Sequence, residues 1–165
     1  YIIGGKLAST HFDEMRDINL CASATDLGCA VHWDTYSEAF IEDPIVERAG
    51  NVCVNPLSWE LNGDLADKSM HKGAVPVSGA FQLAWSGSQE ATGVVFKRLE
   101  APMANMLQAQ CRNGVLYISD LSDSEFGALG GGLLRRGNYH LLDYPVFHMD
   151  IRENAKLRVA TYMAR

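Results

Sequence analysis

Long apolar runs are missing from this chain, and so is any excess of positive charge. Its uninterrupted hydrophobic stretches are only a few residues long, far below the ~20 that a membrane-spanning helix requires. No basic-then-apolar leader is seen either. Fourteen Lys+Arg stand against twenty Asp+Glu, for a formal charge of −6, the wrong sign for holding a phosphate backbone by counterion release. No transmembrane segment and no nucleic-acid partner are therefore expected. The four cysteines, at positions 21, 29, 53 and 111, lack the close C-x-x-C pairs of a zinc knuckle or a thioredoxin-like redox site. Nowhere does the chain read G-x-S-x-G, the tight strand-to-helix turn that carries a serine nucleophile. Internal repeats are absent too.

What remains is ordinary globular composition: 165 residues, 47% apolar and 21% charged, enough for a single core that buries roughly 70% of the surface of the unfolded chain. Residues 1–165 are expected to form one partial domain. Tyr1-Ile2-Ile3-Gly4-Gly5 reads as the body of a buried strand running into a glycine turn, with no initiator Met, as if cut from a longer chain. Ser9–Asp17 suits a short helix or surface excursion. Cys29–Tyr36 is β-branched and aromatic, a strand ending near Asp34. Ser37–Ala49 could coil as a helix broken at Pro44, and Asn51–Val54, stopped by Asn55-Pro56, reads as a second central strand. Glu60–Gln89 is a loop-heavy insertion, and Val94–Phe96 is a short strand candidate. Asn113-Gly114 between Gln108–Cys111 and Val115–Ile118 is a hairpin signal, since both residues tolerate the positive φ of a type I′ turn. Ser119–Gly137 reads as a second long loop. Asp143–Arg165 places Phe147, Ile151, Ala155, Val159 and Tyr162 or Met163 on one helical face, with Asp143 as a possible N-cap. Strands interleaved with helices argue for an α/β fold with a mostly parallel sheet and loop-rich insertions.

Among residues able to do chemistry, His140 differs from His11, His32, His71 and His148 by its context. It follows a glycine-rich loop and directly precedes the terminal helix, which would put its imidazole at the open end of the sheet. A general base needs a group titrating near neutrality, reachable by substrate and held by a carboxylate. Asp143, three residues on, is the nearest acid, with helix capping its bland alternative. Asp34 at a strand end, Asp26 in the loop between Cys21 and Cys29, and Glu60 are the others. Cys21 and Cys29 enclose a loop that a disulfide could close, and Cys53 and Cys111 lie on expected strands that could be neighbours. Buried free thiols are the equal alternative. Disulfides would place the protein outside the cytoplasm, in a secreted or periplasmic setting; free thiols would place it inside. Gly127–Gly132 resembles a phosphate loop but lacks Gly-Lys-Ser/Thr, and Asp120, Asp123 and Glu125 depart from calcium-loop spacing. No cofactor and no metal are assigned.

Four stretches occur in an order that carries a resemblance: Cys21-(x)7-Cys29 with Val31-His32-Trp33; Val52-Cys53-Val54-Asn55-Pro56-Leu57-Ser58-Trp59; Cys111-Arg112-Asn113-Gly114-Val115-Leu116; and Gly137-Asn138-Tyr139-His140 through Asp143 to Ile151-Arg152-Glu153-Asn154. Together they resemble the C-terminal half of a bacterial lipase/esterase-like family of the α/β-hydrolase superfamily, long catalogued as a domain of unknown function. The resemblance implies an α/β-hydrolase fold, with the serine nucleophile upstream of Tyr1 and His140 as catalytic base. It also implies a small-molecule or lipid ester as substrate. Family members commonly carry something other than Asp at the place of Asp34, and the aspartate three after the histidine belongs to the pattern, so the resemblance favours Asp143 as the acid. This chain alone is then expected to be inactive. Trp59, Phe81 and Trp85 would wall or cover the acyl group, or simply pack a core. The competing expectation is a non-catalytic scaffold on the same architecture.

Overall fold

The structure, a computed structural model, describes residues 1–4, 7–15, 17–40, 50–76, 100–127 and 137–165. The helix expected to break at Pro44, the strand at Val94–Phe96, the aromatics Phe81 and Trp85 and most of the Gly127–Gly132 run lie outside these residues.

One extended run forms the spine. Between Cys29 and Ser37 the chain holds β3 (Cys29–Ala30), β4 (His32–Trp33) and β5 (Thr35–Ser37), which follow β1 (Ile2–Ile3), α1 (Thr10–Glu14) and β2 (Asn19–Leu20). Each part of the spine has its own partner: β2 pairs β3, β1 pairs β4, and β5 pairs β7 (Val115–Ile118), all parallel. Among the described strands β6 (Ala109–Arg112) pairs β7 antiparallel. β-Branched and aromatic side chains in Val31-His32-Trp33-Asp34-Thr35-Tyr36 favour this extended backbone, and Val31 to Ser37 are all buried. The run therefore continues three residues past Asp34, where the sequence suggested it would end. The result is α/β content with small mixed sheets.

The β6–β7 hairpin forms where the Asn-Gly pair placed it. Asn113 (φ 51°) and Gly114 (φ 74°) both take positive φ, which matches the right-handed twist of the paired strands. A Cβ at Gly114 would lie 2.5 Å from the carbonyl oxygen of Asn51, so close approach requires glycine as well.

Asn51–Val54 differs from its expected role as a central strand. Its backbone is extended, but its hydrogen bonds go one at a time to different neighbours: Val52 N–H to Leu7 O, Val54 N–H to His32 O, and a bridge between Val54 and Leu61. No continuous ladder develops. Asn55 explains the stop. Fully buried, it donates through Nδ2 to Ala109 O and accepts from Leu57 N–H, turning the chain through an Asx turn.

At the C-terminal end the chain forms a 3₁₀ turn (His140–Leu142), α2 (Asp143–Val146) and α3 (His148–Met163), rather than one helix from Asp143. The break at Phe147 (φ −108°, ψ 24°) sends that ring into the core, edge-on to Trp33 at 5.8 Å between ring centroids. Asp143 does not cap by side chain. The expected apolar face meets the core only at its start, through Phe147 and Ile151, and turns outward later: Val159 is 63% exposed, Tyr162 67% and Met163 76%.

Both cysteine pairs are bonded, Cys21 to Cys29 and Cys53 to Cys111. The core packs around them, with Trp33, Val54, Leu107, Leu116, Phe126 and Phe147 essentially inaccessible. Among the described residues no helix is long and apolar enough to cross a membrane.

Candidate active site

His140 is positioned from β5. The segment before it runs antiparallel to that strand: Ser37 N–H donates to Gly137 O, and Tyr139 N–H to Thr35 O. Tyr139 is buried and its hydroxyl donates to Asp120 (2.7 Å) while accepting from Leu121 N–H (3.0 Å), so the residue before the histidine cannot rotate. Asn138 Oδ1 accepts the His140 backbone N–H. The imidazole emerges beside the C-terminal ends of β1 and β4, the end at which open parallel sheets carry their ligands, with its side chain 38% exposed.

Two carboxyl groups converge on one ring nitrogen. Nδ1 of His140 lies 2.9 Å from Asp34 Oδ1 and 3.8 Å from Asp143 Oδ2. Each carboxyl is anchored by its other oxygen: the Tyr36 hydroxyl donates to Asp34 Oδ2 at 2.9 Å, and the Thr35 hydroxyl donates to Asp143 Oδ1. Gly4 packs against the same edge of the ring, at φ 78°, where a Cβ would sit 2.6 Å from Cε1, 2.9 Å from Nδ1 and 3.4 Å from Asp143 Oδ2. The Gly4 N–H donates to Trp33 O, so β1 ends level with Asp34 and its glycine faces the ring. Nε2 makes no hydrogen bond to any described residue and is left for another partner.

Electrostatics follow from this crowding. The hydrogen bond to Asp34 holds the His140 pKa above its ordinary value, against the opposing effect of burial. Asp143 is almost completely buried, and burial pushes its carboxyl well above the usual carboxylate range. The Thr35 hydrogen bond opposes this, and the charge of Asp34 adds to it. The two acids thus divide: one faces the imidazole as its counter-ion, and the other favours its neutral form.

Of the four acids weighed from sequence, the structure brings Asp34 and Asp143 to His140 and leaves the others elsewhere. Asp26 Oδ2 accepts from Ala22 and Ser23 N–H and its Oδ1 accepts from the Ser23 hydroxyl, which uses its carboxylate within the loop. Glu60 is exposed beside Gly63. Asp120 orders its own turn through Ser122 and Tyr139. Thr35, Tyr36 and Gly4 were missed. Alternation along the extended run places Tyr36 on the same side as Asp34, and the glycine after β1 marked a strand end, so both had a signal.

Asp34, His140 and Asp143 offer three ligand atoms within 4.8 Å of one another, the one such group among the described residues. A cation there would have to displace the Nδ1 proton and ionise Asp143 in place. The direct hydrogen bond already satisfies Nδ1 and Asp34 Oδ1 and leaves Asp143 Oδ2 without a partner.

Trp59 is buried among rings, edge-on to Trp33 and Tyr1. With Leu57, Ala24, Lys72 and Leu157 it borders a groove of about 300 Å³ that includes neither His140 nor its acids. No protein-family model, curated protein or solved structure matches the chain.

Proposed function

We propose that this chain supplies the general base of a serine-type carboxylic ester hydrolase acting on a small-molecule or lipid ester. One observation carries the reading: an imidazole anchored through Nδ1 on Asp34 presents Nε2, unengaged by any described residue, at the C-terminal ends of parallel strands. That is the orientation in which Nε2 can accept a proton from an attacking hydroxyl. The hydroxyl oxygen bonds to the ester carbonyl carbon while its proton passes to Nε2. That proton then goes to the departing alcohol, and water releases the acyl group by the same route. Asp34 holds the ring and stabilises the imidazolium. No thiol among the four cysteines can take the nucleophile's part, since all are paired, and the reading places the nucleophilic serine outside the described residues. The disulfides favour an oxidising, extracytoplasmic setting.

The absence of G-x-S-x-G from the sequence favours a second reading, a binding module without catalysis. Assay of the intact protein on short acyl esters separates the two. His140→Ala is expected to lower kcat by about a thousandfold or more with the fold retained by circular dichroism. Turnover unchanged by that substitution, or no turnover in the unaltered protein, removes the hydrolytic reading.

A further inference from the structure

The buried carboxyl of Asp143 has one oxygen with no partner. Its Oδ1 accepts from Thr35, but Oδ2 is buried, unbonded and 3.8 Å from the Nδ1 that Asp34 already holds. An unpaired buried acceptor costs roughly 1–3 kcal/mol. The anchoring repeats the design at Asp34, far oxygen tied by a hydroxyl and near oxygen facing the ring. Gly4 packs beside both groups, a Cβ there falling 2.9 Å from His140 Nδ1 and 3.4 Å from Asp143 Oδ2.

We propose that Asp143 is a second, reserve orienting carboxyl for His140, which takes over the Nδ1 proton contact when the Asp34 carboxylate is removed. Asp34 and Asp143 cannot both be charged cheaply at this separation, as in any pair of carboxyls sharing a site. The charge of Asp34 adds to the burial that favours the neutral form of Asp143. With Asp34 replaced, its contribution to the raised Asp143 pKa is gone while burial still opposes ionisation, and Asp143 Oδ2, 3.8 Å from Nδ1, needs to close by only about 1 Å to reach hydrogen-bond distance. The charged and titratable groups facing Asp143 are Asp34 and His140. This role belongs to a positioning residue: Asp143 acts through the ring. It rests on the hydrolytic reading only where turnover is measured.

Nuclear magnetic resonance titration of His140 and of the Asp143 carboxyl carbon tests the proposal in the folded protein, independent of activity. In Asp34→Asn, His140 is expected to keep a raised pKa, within about half a unit of the unaltered protein, and Asp143 to fall by a unit or more. In Asp34→Asn/Asp143→Asn, His140 is expected to drop by a further unit or more. If His140 falls as far in Asp34→Asn as in the double variant, or if Asp143 does not move in Asp34→Asn, the proposal is overturned. The second measurement needs only the single variant, so a double variant that fails to fold leaves the test intact. In the intact protein, Asp34→Asn should retain at least a tenth of kcat, where the double variant loses a hundredfold or more. Titrations that come out as expected in a protein without esterase activity would sustain the reserve carboxyl and discard only the hydrolytic reading.

Discussion

Gly4 holds the least chemistry and the tightest position at the site. Its backbone is left-handed, and an added Cβ would meet Cε1 of His140 at 2.6 Å, so Gly4→Ala combines backbone strain of about 1–3 kcal/mol with displacement of the ring. We expect kcat of the intact protein to fall at least tenfold with KM little changed, and steady-state kinetics check this. Asp143 gives a prediction in pH. Its folded pKa lies well above the ordinary 3.8, chiefly through burial, so its contribution to stability is complete below 3.8 and is lost as pH rises through the folded value. His140, also raised, has the same sign but begins near its ordinary 6.5. His32 is opposite: burial lowers its pKa, and its contribution is present above 6.5 and lost as pH falls through the folded value. Asp143→Asn removes the first of these and weakens the second, since Asp143 is among the causes that raise His140. Urea unfolding at pH 4 and pH 8 should therefore show the unaltered protein losing ground to Asp143→Asn at the higher pH. A difference independent of pH would mean that Asp143 titrates like an exposed carboxyl.

The α3 helix shows why an element can be legible in sequence while its orientation is not. Its existence followed from 3.6-residue periodicity, and Phe147 and Ile151 of the expected face do meet the core, but its later positions, Val159, Tyr162 and Met163, point to solvent. The inward row is Asp150, Asn154 and Arg158, spaced i, i+4. Asp150 accepts from Lys72 N–H at 3.0 Å, Asn154 donates to Ala24 O at 2.9 Å, and Arg158 donates to Ser23 O at 3.1 Å and to Asp26 O. Asn154 Oδ1 also accepts from Tyr1 and Arg158. A reading that counts apolar residues cannot see a polar face whose partners are backbone carbonyls and amides 70 or more residues away. Hydrogen bonds from a charged donor to such groups contribute about 1.5–3 kcal/mol each when part-buried. Arg158→Ala is accordingly expected to destabilise by about 2–3 kcal/mol, against less than about 0.5 kcal/mol for Val159→Ala. Denaturant midpoints provide the measurement, and amide exchange across 22–28 should rise in the first variant alone. Equal costs would restore the apolar face.

At the scale of the whole molecule, local signals survived and shared ones did not. The Asn113-Gly114 turn needs only its own φ angles, and the extended run through Trp33 needs only its side chains, so both were readable. The choice of Asp34 among the four candidate acids was not, because Asp34 reaches His140 across 106 residues, while the nearer Asp143 has its carboxyl drawn to Thr35. The possible neighbours Cys53 and Cys111 are bonded, whereas sequence alone weighs pairing and free thiols equally.

The two disulfides then make an ordered prediction. In the chain-entropy account a crosslink stabilises by restricting the unfolded chain, and more so for the longer loop. Cys53–Cys111 spans a separation of 58 and Cys21–Cys29 one of 8, corresponding to about 4 and about 2.5 kcal/mol. Cys53→Ala/Cys111→Ala should therefore lower the urea midpoint more than Cys21→Ala/Cys29→Ala does. The local consequence should run the other way around the helix. Arg158 lies 3.1 Å from Cys21 Sγ and ties the 21–29 loop to α3, so opening the short loop should loosen amide protection in the last turns of α3, while opening the long one should leave them protected in the native state. Alkylation before and after reduction fixes the starting point, with no label expected before and four after. If loss of the short crosslink costs as much as loss of the long one, its stabilisation comes from native contacts around Arg158 more than from restriction of the unfolded chain.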